Sequence, residues 1–291
     1  MNLRCNSCDG IYNKCLDVRF TKACDNSCSF CIEKCGADSF GKTEVQAMIK
    51  NTIQSDRDTV LILGGEPLLY PQQVLEYIKG IRGHIKNIYL TTSLPITIRE
   101  NADIVDEIID LLDGLNVSFH HYNWKKNNEI FKASSKHNRV DMLEELLMKD
   151  SVAKKIRVSI NLVNGQIDTK QKLGFFLDLM YIIGCKHVKI NELQNVDLHT
   201  YVSFEDIMQI KMKSPYAYGC QTDATEYFDF YEGKMKVTLK RSCFVVKDRS
   251  ISKVTFSDLL KAFLKRFIKI ENGMQVMYEN GQIENGWITK E

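Results

Sequence analysis

The sequence predicts an α/β protein, a partial (β/α)6 barrel with a C-terminal β-hairpin and helix extension. Short apolar runs alternate with amphipathic helical stretches six times between Leu16 and Ile210. That rhythm favours a parallel sheet with right-handed crossovers. An eight-unit barrel takes about 250 residues, so six units take roughly 190, which is about the length available. Beyond residue 211 the rhythm stops and a hairpin pattern replaces it. A flat doubly wound sheet is the alternative architecture. The chain thus divides into a cysteine-containing N-terminal segment (1–15), a partial barrel (16–211) and a C-terminal extension (212–291).

Leu16–Thr21 alternates as a strand does, and Thr43 is placed to cap a helix through Val45, Met48, Ile49 and Ile53. Thr59–Leu63 is a continuous apolar run of the kind buried on both faces of a sheet. A helix from Pro71 to Gly83 leads to a strand at Asn87–Thr91. Ile98–Leu112 reads as helix and Leu115–Phe119 as the fourth strand. Helical sequence at Arg139–Met148 precedes a fifth strand, Lys155–Leu162. Thr169–Ile183 and His187–Asn191 form the last helix–strand pair, with a short helix near Phe204–Ile210. In the tail, Glu226–Tyr231 and Lys234–Arg241 flank Gly233 as a hairpin does. A helix over Ser257–Ile268 and a stretch at Gly281–Trp287 complete it.

Composition narrows the function. The 291 residues carry a net charge of +2 with ordinary apolar and charged fractions, which excludes disordered and fibrous classes. Without a concentrated basic block, nucleic-acid binding is not expected. There is no apolar run of 18 residues and no signal-peptide pattern at the start, so a cytoplasmic protein without a membrane span is expected. Thiols stay reduced in that compartment. Of the ten cysteines, seven fall in the first 35 residues, which points to metal or cluster ligation rather than disulfides.

Cys24, Cys28 and Cys31 lie in the loop that leaves the first strand, where ligands bind in parallel α/β architectures. Zinc sites usually have four ligands in paired Cys or Cys/His motifs, and ordinary 4Fe–4S clusters take four cysteines. Three local thiolates leave one iron open to a nonprotein ligand, although a zinc or structural cluster loop is compatible with the triplet alone. Gly64-Gly65-Glu66-Pro67 follows the second strand. Its glycines allow close approach of backbone to a ligand, and its carboxylate suits an ammonium group.

Together these motifs resemble those of the radical S-adenosylmethionine (SAM) enzymes. That superfamily carries C-x3-C-x2-C after the first barrel strand, with an aromatic residue before the third cysteine. Cys24, Cys28, Phe30 and Cys31 match it position by position, and Gly64–Pro67 matches the GGEP motif that contacts the methionyl amine. The resemblance implies a 4Fe–4S cluster chelated by SAM, reductive cleavage to a 5′-deoxyadenosyl radical, and hydrogen abstraction from substrate. It also favours Ser118 and Asn161 as SAM-binding residues. An oxidoreductase, transferase or lyase outcome follows from the substrate. Cluster reduction requires a donor at roughly −400 mV or below, such as flavodoxin or ferredoxin.

Other strand ends supply less specific candidates: Thr91, Thr92, Ser93, Asn191 and Glu192. His120 and His121 titrate in the right range for acid–base work, while one packed and one exposed histidine is the structural alternative. Phe119, Tyr122 and Trp124 read as packing residues. Cys220 and Cys243 flank the hairpin and resemble a thinned twitch or SPASM extension, whose cysteines hold an auxiliary cluster. Cys5, Cys8 or Cys15 would have to complete that ligand set, since the usual neighbour of Cys220 is missing. Zinc or free structural thiols are the alternatives there, and Cys35 and Cys185 read as ordinary. The substrate expected is a small molecule or nucleotide, or a ribosomal peptide if the auxiliary cluster exists. The rival reading is a noncatalytic iron–sulfur or zinc protein for electron transfer or interaction.

Overall fold

The computed structural model describes residues 14–31, 41–193, 199–209, 228–230, 234–240 and 275–285. Strands β1 (Cys15–Thr21), β2 (Thr59–Gly64), β3 (Asn87–Thr92), β4 (Gly114–Ser118), β5 (Ile156–Leu162) and β6 (His187–Glu192) lie side by side in chain order. Every neighbouring pair among them is parallel. A doubly wound sheet reverses its strand order at a switch point. This order has no reversal, so the partial barrel is the architecture and the doubly wound alternative falls.

Helices fill the crossovers: α1 (Val45–Gln54), α2 (Pro71–Ile81), α3 (Thr97–Glu100), α4 (Ala102–Leu111), α5 (Trp124–Phe131), α6 (Arg139–Leu147), α7 (Asp150–Ala153), α8 (Lys170–Ile182) and α9 (Phe204–Met208). Each strand places alternate residues against these helices. Val60, Ile62, Ile88, Leu90, Leu115, Val117, Val158, Ile160, Val188 and Ile190 are buried there with Met48, Ile78, Ile108, Leu143 and Phe176 in one core. Truncating such a residue to alanine costs about 2–5 kcal/mol. The opposite face of β4–β6 carries Asn116, Ser118, Arg157, Ser159, Asn161, His187, Lys189 and Asn191, because side chains alternate along a strand.

The elements depart from the sequence reading in a few places. The helix expected over Ile98–Leu112 breaks at Asn101 into α3 and α4. Helix α5 was not predicted; its mean polarity hides a buried face of Asn127, Ile130 and Phe131. Thr43 does not cap α1, for its hydroxyl donates to the Phe20 carbonyl at 3.0 Å and ties the helix entry to β1. Thr169 does cap α8, accepting from the Lys172 N–H.

The tail strands extend both edges of the sheet. β7 (Phe228–Phe230) and β8 (Met235–Lys240) pair antiparallel, as the hairpin pattern predicts, and β8 lies parallel to β6. At the other edge β9 (Gln275–Met277) runs parallel to β1 and pairs antiparallel with β10 (Ile283–Glu284). The result is a ten-stranded open sheet, β10-β9-β1-β2-β3-β4-β5-β6-β8-β7. Arg19 of β1 and Glu279, both fully buried, form an ion pair at 2.9 Å across the β1–β9 edge. The helix expected at Ser257–Ile268 and the turn at Glu232–Gly233 lie outside the described residues. Among the described residues no helix is long and apolar enough to cross a membrane.

Candidate active site

Both motif loops leave the carboxyl ends of adjacent strands and are hydrogen-bonded to each other. Gly65 N–H donates to the Thr21 carbonyl at 2.6 Å, and Glu66 N–H donates to the Ala23 carbonyl at 2.8 Å. This zipper requires glycine. A Cβ on Gly65 would stand 2.0 Å from the Ala23 carbonyl oxygen, and Gly64 has φ +126°, where a side chain is strained. Thr21 Oγ1 accepts from the Ala23 N–H, which turns the chain out of β1 immediately before Cys24.

Along the loop, Cys24 is exposed while Cys28 and Cys31 are half-buried. The Cys24 thiol is pushed up to about 11, first by desolvation and then, against a lowering hydrogen bond from Asn26, by the charges of Glu66, Asp25 and Cys31. Ser27 N–H donates to the Phe131 carbonyl at 2.7 Å, and Cys28 Sγ reaches the same oxygen at 3.7 Å. That carbonyl is free because α5 ends there, with Lys132 in the left-handed conformation. Phe30 packs edge-on against the His120 ring, 5.2 Å between centroids.

Glu66 is almost completely buried, and its carboxylate turns to the end of β3. Oε1 accepts from Thr92 Oγ1 at 2.8 Å and from the Leu68 N–H at 3.2 Å; Oε2 accepts from both Ser93 N–H and Ser93 Oγ at 2.7 Å. Burial raises its pKa and these four donors oppose the shift. A carboxylate has about four lone-pair sites, so an incoming ammonium has to displace one of these partners. Thr92 and Ser93 are therefore spent on Glu66, and Pro67 opens a buried 3-10 turn, Pro67–Leu69, behind the motif.

Arg139, completely buried at the start of α6, joins the pieces. Its Nε donates to the Ser93 carbonyl at 2.8 Å, Nη1 to Asn128 Oδ1, and Nη2 to Asn26 Oδ1 at 3.1 Å, with Asp25 Oδ2 at 3.6 Å. Its guanidinium stacks on Phe131 at 5.0 Å. Asn26 Nδ2 in turn donates to Ser93 Oγ at 2.7 Å. Sequence reading missed Arg139 and Asn26. The first is one of many helix-start charges, and only the fold shows that it points inward.

Across the sheet, Ser118 and Asn161 sit at the carboxyl ends of β4 and β5 on the face opposite the helices. Both are half-buried, and neither polar side chain has a partner among the described residues. Asn191 is committed: its amide donates to Ser159 Oγ at 2.8 Å and to the Ile160 carbonyl at 3.1 Å. Glu192 is buried and accepts from Tyr201 Oη and from the Phe204 N–H in the first turn of α9, which Ser203 caps. His120 and His121 are both buried, against the expectation of one exposed ring. His120 lies against Phe30 and Phe131, its Nδ1 accepts from the Asn161 N–H, and desolvation pushes it down to about 3. Neutral, with Nδ1 engaged and burial disfavouring the imidazolium, His120 is a weak proton acceptor here. Phe119 packs against Phe176 in the core, and the half-buried Tyr122 packs edge-on against the exposed Phe175, as expected of packing residues. Deeper on the same face His187 is pushed down to about 4, first by desolvation and then by Arg157, Lys236 and Lys189.

Cys15 lies at the amino end of β1, the far end of the strand from the Cys24 loop, with its thiol pushed up to about 12. Cys185 is buried in the core, donating to the His187 carbonyl. Cys5, Cys8, Cys35, Cys220 and Cys243 lie outside the described residues. Among the described residues no three Cys, His, Asp or Glu side chains converge on a single metal ion. Cys24, Cys28 and Cys31 stand on one loop, and thiolates are the ordinary ligands of iron–sulfur clusters.

Two loops, one rich in thiols and one in glycine, thus leave the carboxyl ends of adjacent strands in a parallel α/β protein, the end of the sheet where such folds bind their ligands. Residues 18–179, more than half of the chain, match the family model of the Radical SAM superfamily, and the chain belongs to that superfamily. Its fold is similar to that of SuiB from Streptococcus suis, with TM-score 0.55 and 14% identity over 94% of this chain and 60% of that one. SuiB bound to the precursor peptide SuiA gives TM-score 0.55 and 12% identity, over 94% and 59%. A radical SAM methyltransferase from Sphaerobacter thermophilus gives TM-score 0.53 and 13% identity, over 78% and 65%. The chain thus spans about 60% of the SuiB chain, and at these identities the likeness is one of fold. No curated protein matches the sequence.

Proposed function

We propose that the chain is a SAM-cleaving enzyme in which Cys24, Cys28 and Cys31 hold one 4Fe–4S cluster and Gly64–Pro67, Phe30, Ser118 and Asn161 seat SAM. The cluster that its superfamily implies supplies, when bound, the electron that cleaves SAM to methionine and a 5′-deoxyadenosyl radical. The hydrogen-bonded zipper between the two motif loops is the observation that supports this reading most, because it fixes the SAM ledge beside the thiols. With its carboxylate engaged on β3, Glu66 stiffens the ledge, and ligand contact falls to the backbone of Gly64–Glu66. Ser118 and Asn161 offer a hydroxyl and an amide to the ribose or carboxylate. Phe30, backed by the His120 ring, walls the loop with apolar surface and excludes water.

The substrate presents a hydrogen over the open face of β4–β6 and is a small molecule or a peptide. The fold likeness to SuiB, a protein whose structure holds a precursor peptide, supports the peptide branch. An auxiliary cluster on Cys220 and Cys243 with Cys5 or Cys8 belongs to that branch, and a flavodoxin or ferredoxin supplies the electron. The test is iron and sulfide per chain after anaerobic reconstitution, with 5′-deoxyadenosine measured after dithionite and SAM. About four irons that vanish in the Cys24/Cys28/Cys31→Ala variant, with 5′-deoxyadenosine formed only by wild type, are expected. About eight falling to four adds the auxiliary cluster. SAM left uncleaved by an iron-loaded wild type would return the chain to the noncatalytic reading.

A further inference from the structure

A completely buried guanidinium is costly unless it is paired, yet among the described residues the one carboxylate within ion-pair distance of Arg139 is Asp25, at 3.6 Å. Its other acceptors are neutral: the Ser93 carbonyl of the β3 end, the Asn128 amide of α5 and the Asn26 amide of the cysteine loop. Through Nη2 it grips Asn26, which lies between Cys24 and Cys28 in the loop, so its guanidinium stands beside the segment that carries these thiols. Thiols lose their protons when they bind iron. Ser93 is the shared node: its N–H and hydroxyl hold Glu66, its carbonyl holds Arg139, and its hydroxyl also receives Asn26.

We infer that Arg139 is a positioning residue with two tasks: its planar fork clamps the Cys24–Cys31 loop to the Ser93–Glu66 ledge, and its charge offsets the thiolates of the loaded cluster. The inference rests on the cluster assignment above. The fork explains why arginine stands here, since lysine brings the charge but not the spread of donors that reaches three elements at once. Asn26 is the loop's half of the clamp. It contacts Arg139 through Oδ1 and Ser93 through Nδ2, so the loop is gripped on both sides of one residue.

Two measurements separate the tasks. Hydrogen exchange of residues 24–31 in the metal-free chain reads the clamp, and the midpoint potential of the loaded chain reads the charge. Arg139→Lys and Asn26→Ala each speed loop exchange about tenfold and leave the potential close to wild type. Arg139→Gln speeds exchange equally and lowers the reduced-to-oxidised ratio at fixed donor potential about tenfold, a shift of about 59 mV for one electron. Asn26→Ala leaves Arg139 in its pocket, which keeps the clamp testable if the Arg139 variants fold poorly. Faster exchange in every variant with an unchanged potential in Arg139→Gln would make Arg139 a plain structural staple and overturn the inference. Unchanged exchange in Asn26→Ala would overturn it too. A wild-type chain that holds no iron would overturn the cluster assignment together with this inference, whereas an iron-loaded wild type with silent variants overturns this inference alone.

Discussion

Among the described residues two arginines have no exposed surface, and each lies over an aromatic ring: Arg19 over Tyr278 at 4.3 Å, Arg139 over Phe131 at 5.0 Å. Their partners differ. Arg19 meets a single buried carboxylate oxygen, Glu279 Oε2, with Nε at 3.0 Å and Nη2 at 2.9 Å. Arg139 spreads its donors over neutral acceptors on three elements and keeps a carboxylate at arm's length. The first arrangement cancels charge and fastens a chain segment to β1. The second leaves positive charge beside the ligand loop. Similar burial therefore serves the fold at the β1–β9 junction and the site at the carboxyl ends of β1–β3.

Breaking the fastening has the largest expected effect. Glu279→Ala leaves a buried guanidinium without that carboxylate and costs about 3–5 kcal/mol in urea unfolding of the full chain. Arg19→Met combined with Glu279→Leu removes both charges and recovers most of that loss, because an apolar pair of similar volume needs no desolvation. The cluster potential of the folded protein stays at its wild-type value in both variants. A potential that moved would mean that the two arginines are not distinct in role.

Next comes the zipper that Arg139 clamps from the side. Gly65→Ala places a Cβ against the Ala23 carbonyl, a backbone atom that cannot swing away. Overpacking of this kind costs about 1–3 kcal/mol. The catalytic loss is at the upper end of that range, since a shift of about 1 Å between ledge and loop lowers the rate of 5′-deoxyadenosine formation about 100-fold. Iron content near wild type with slow cleavage would place the damage at the SAM ledge; iron content that fell in parallel would place it in the cysteine loop.

How much of this was legible in the sequence follows from what each feature depends on. The six strands and the two motif loops are local patterns, and they fall within a residue or two of their expected places. Helix α5 was not legible because a helix held by Asn127, Ile130 and Phe131 shows too little apolar periodicity. The Arg19–Glu279 pair joins residues 260 positions apart, and the Arg139–Asn26 contact spans 113. No local pattern encodes such partners. Glu66 shows the same limit from the other side: its motif marks it for the site, but only the position of Thr92 and Ser93 reveals that its carboxylate is already occupied.

Acid tests the aromatic backing of the loop. His120 is neutral and buried, pushed down to about 3 from an ordinary value near 6.5. Between those values the unfolded chain binds a proton that the native chain does not, so stability falls as pH drops below about 6.5. The loss is about 1.4 kcal/mol per pH unit for this group. Glu66, shifted upward, works in the opposite sense, so the clean comparison is wild type against His120→Gln. Between pH 6.5 and 4.5 the unfolding free energy of the metal-free wild type, from urea titration, should fall by about 2–3 kcal/mol more than that of the glutamine variant. Parallel pH profiles would mean that His120 is solvated and titrates normally.

The smallest effects should come from the open face of β4–β6, where Ser118 and Asn161 have no side-chain partner among the described residues while Asn191 holds Ser159. Ser118→Ala removes a hydroxyl with no partner among the described residues, so unfolding stability should change by about 0.5 kcal/mol or less. If the hydroxyl meets SAM, the affinity falls by about 1 kcal/mol, roughly fivefold, and Asn161→Ala behaves alike. Ser93→Ala inverts the pattern. It deprives the buried Glu66 carboxylate of the hydroxyl donor while keeping the backbone one, at a cost of about 1–3 kcal/mol in stability. Isothermal titration with SAM beside urea unfolding, on these three variants, places each serine on one side of the divide. Equal SAM affinity in wild type and Ser118→Ala would move the ribose and carboxylate contacts elsewhere on the open face of β4–β6.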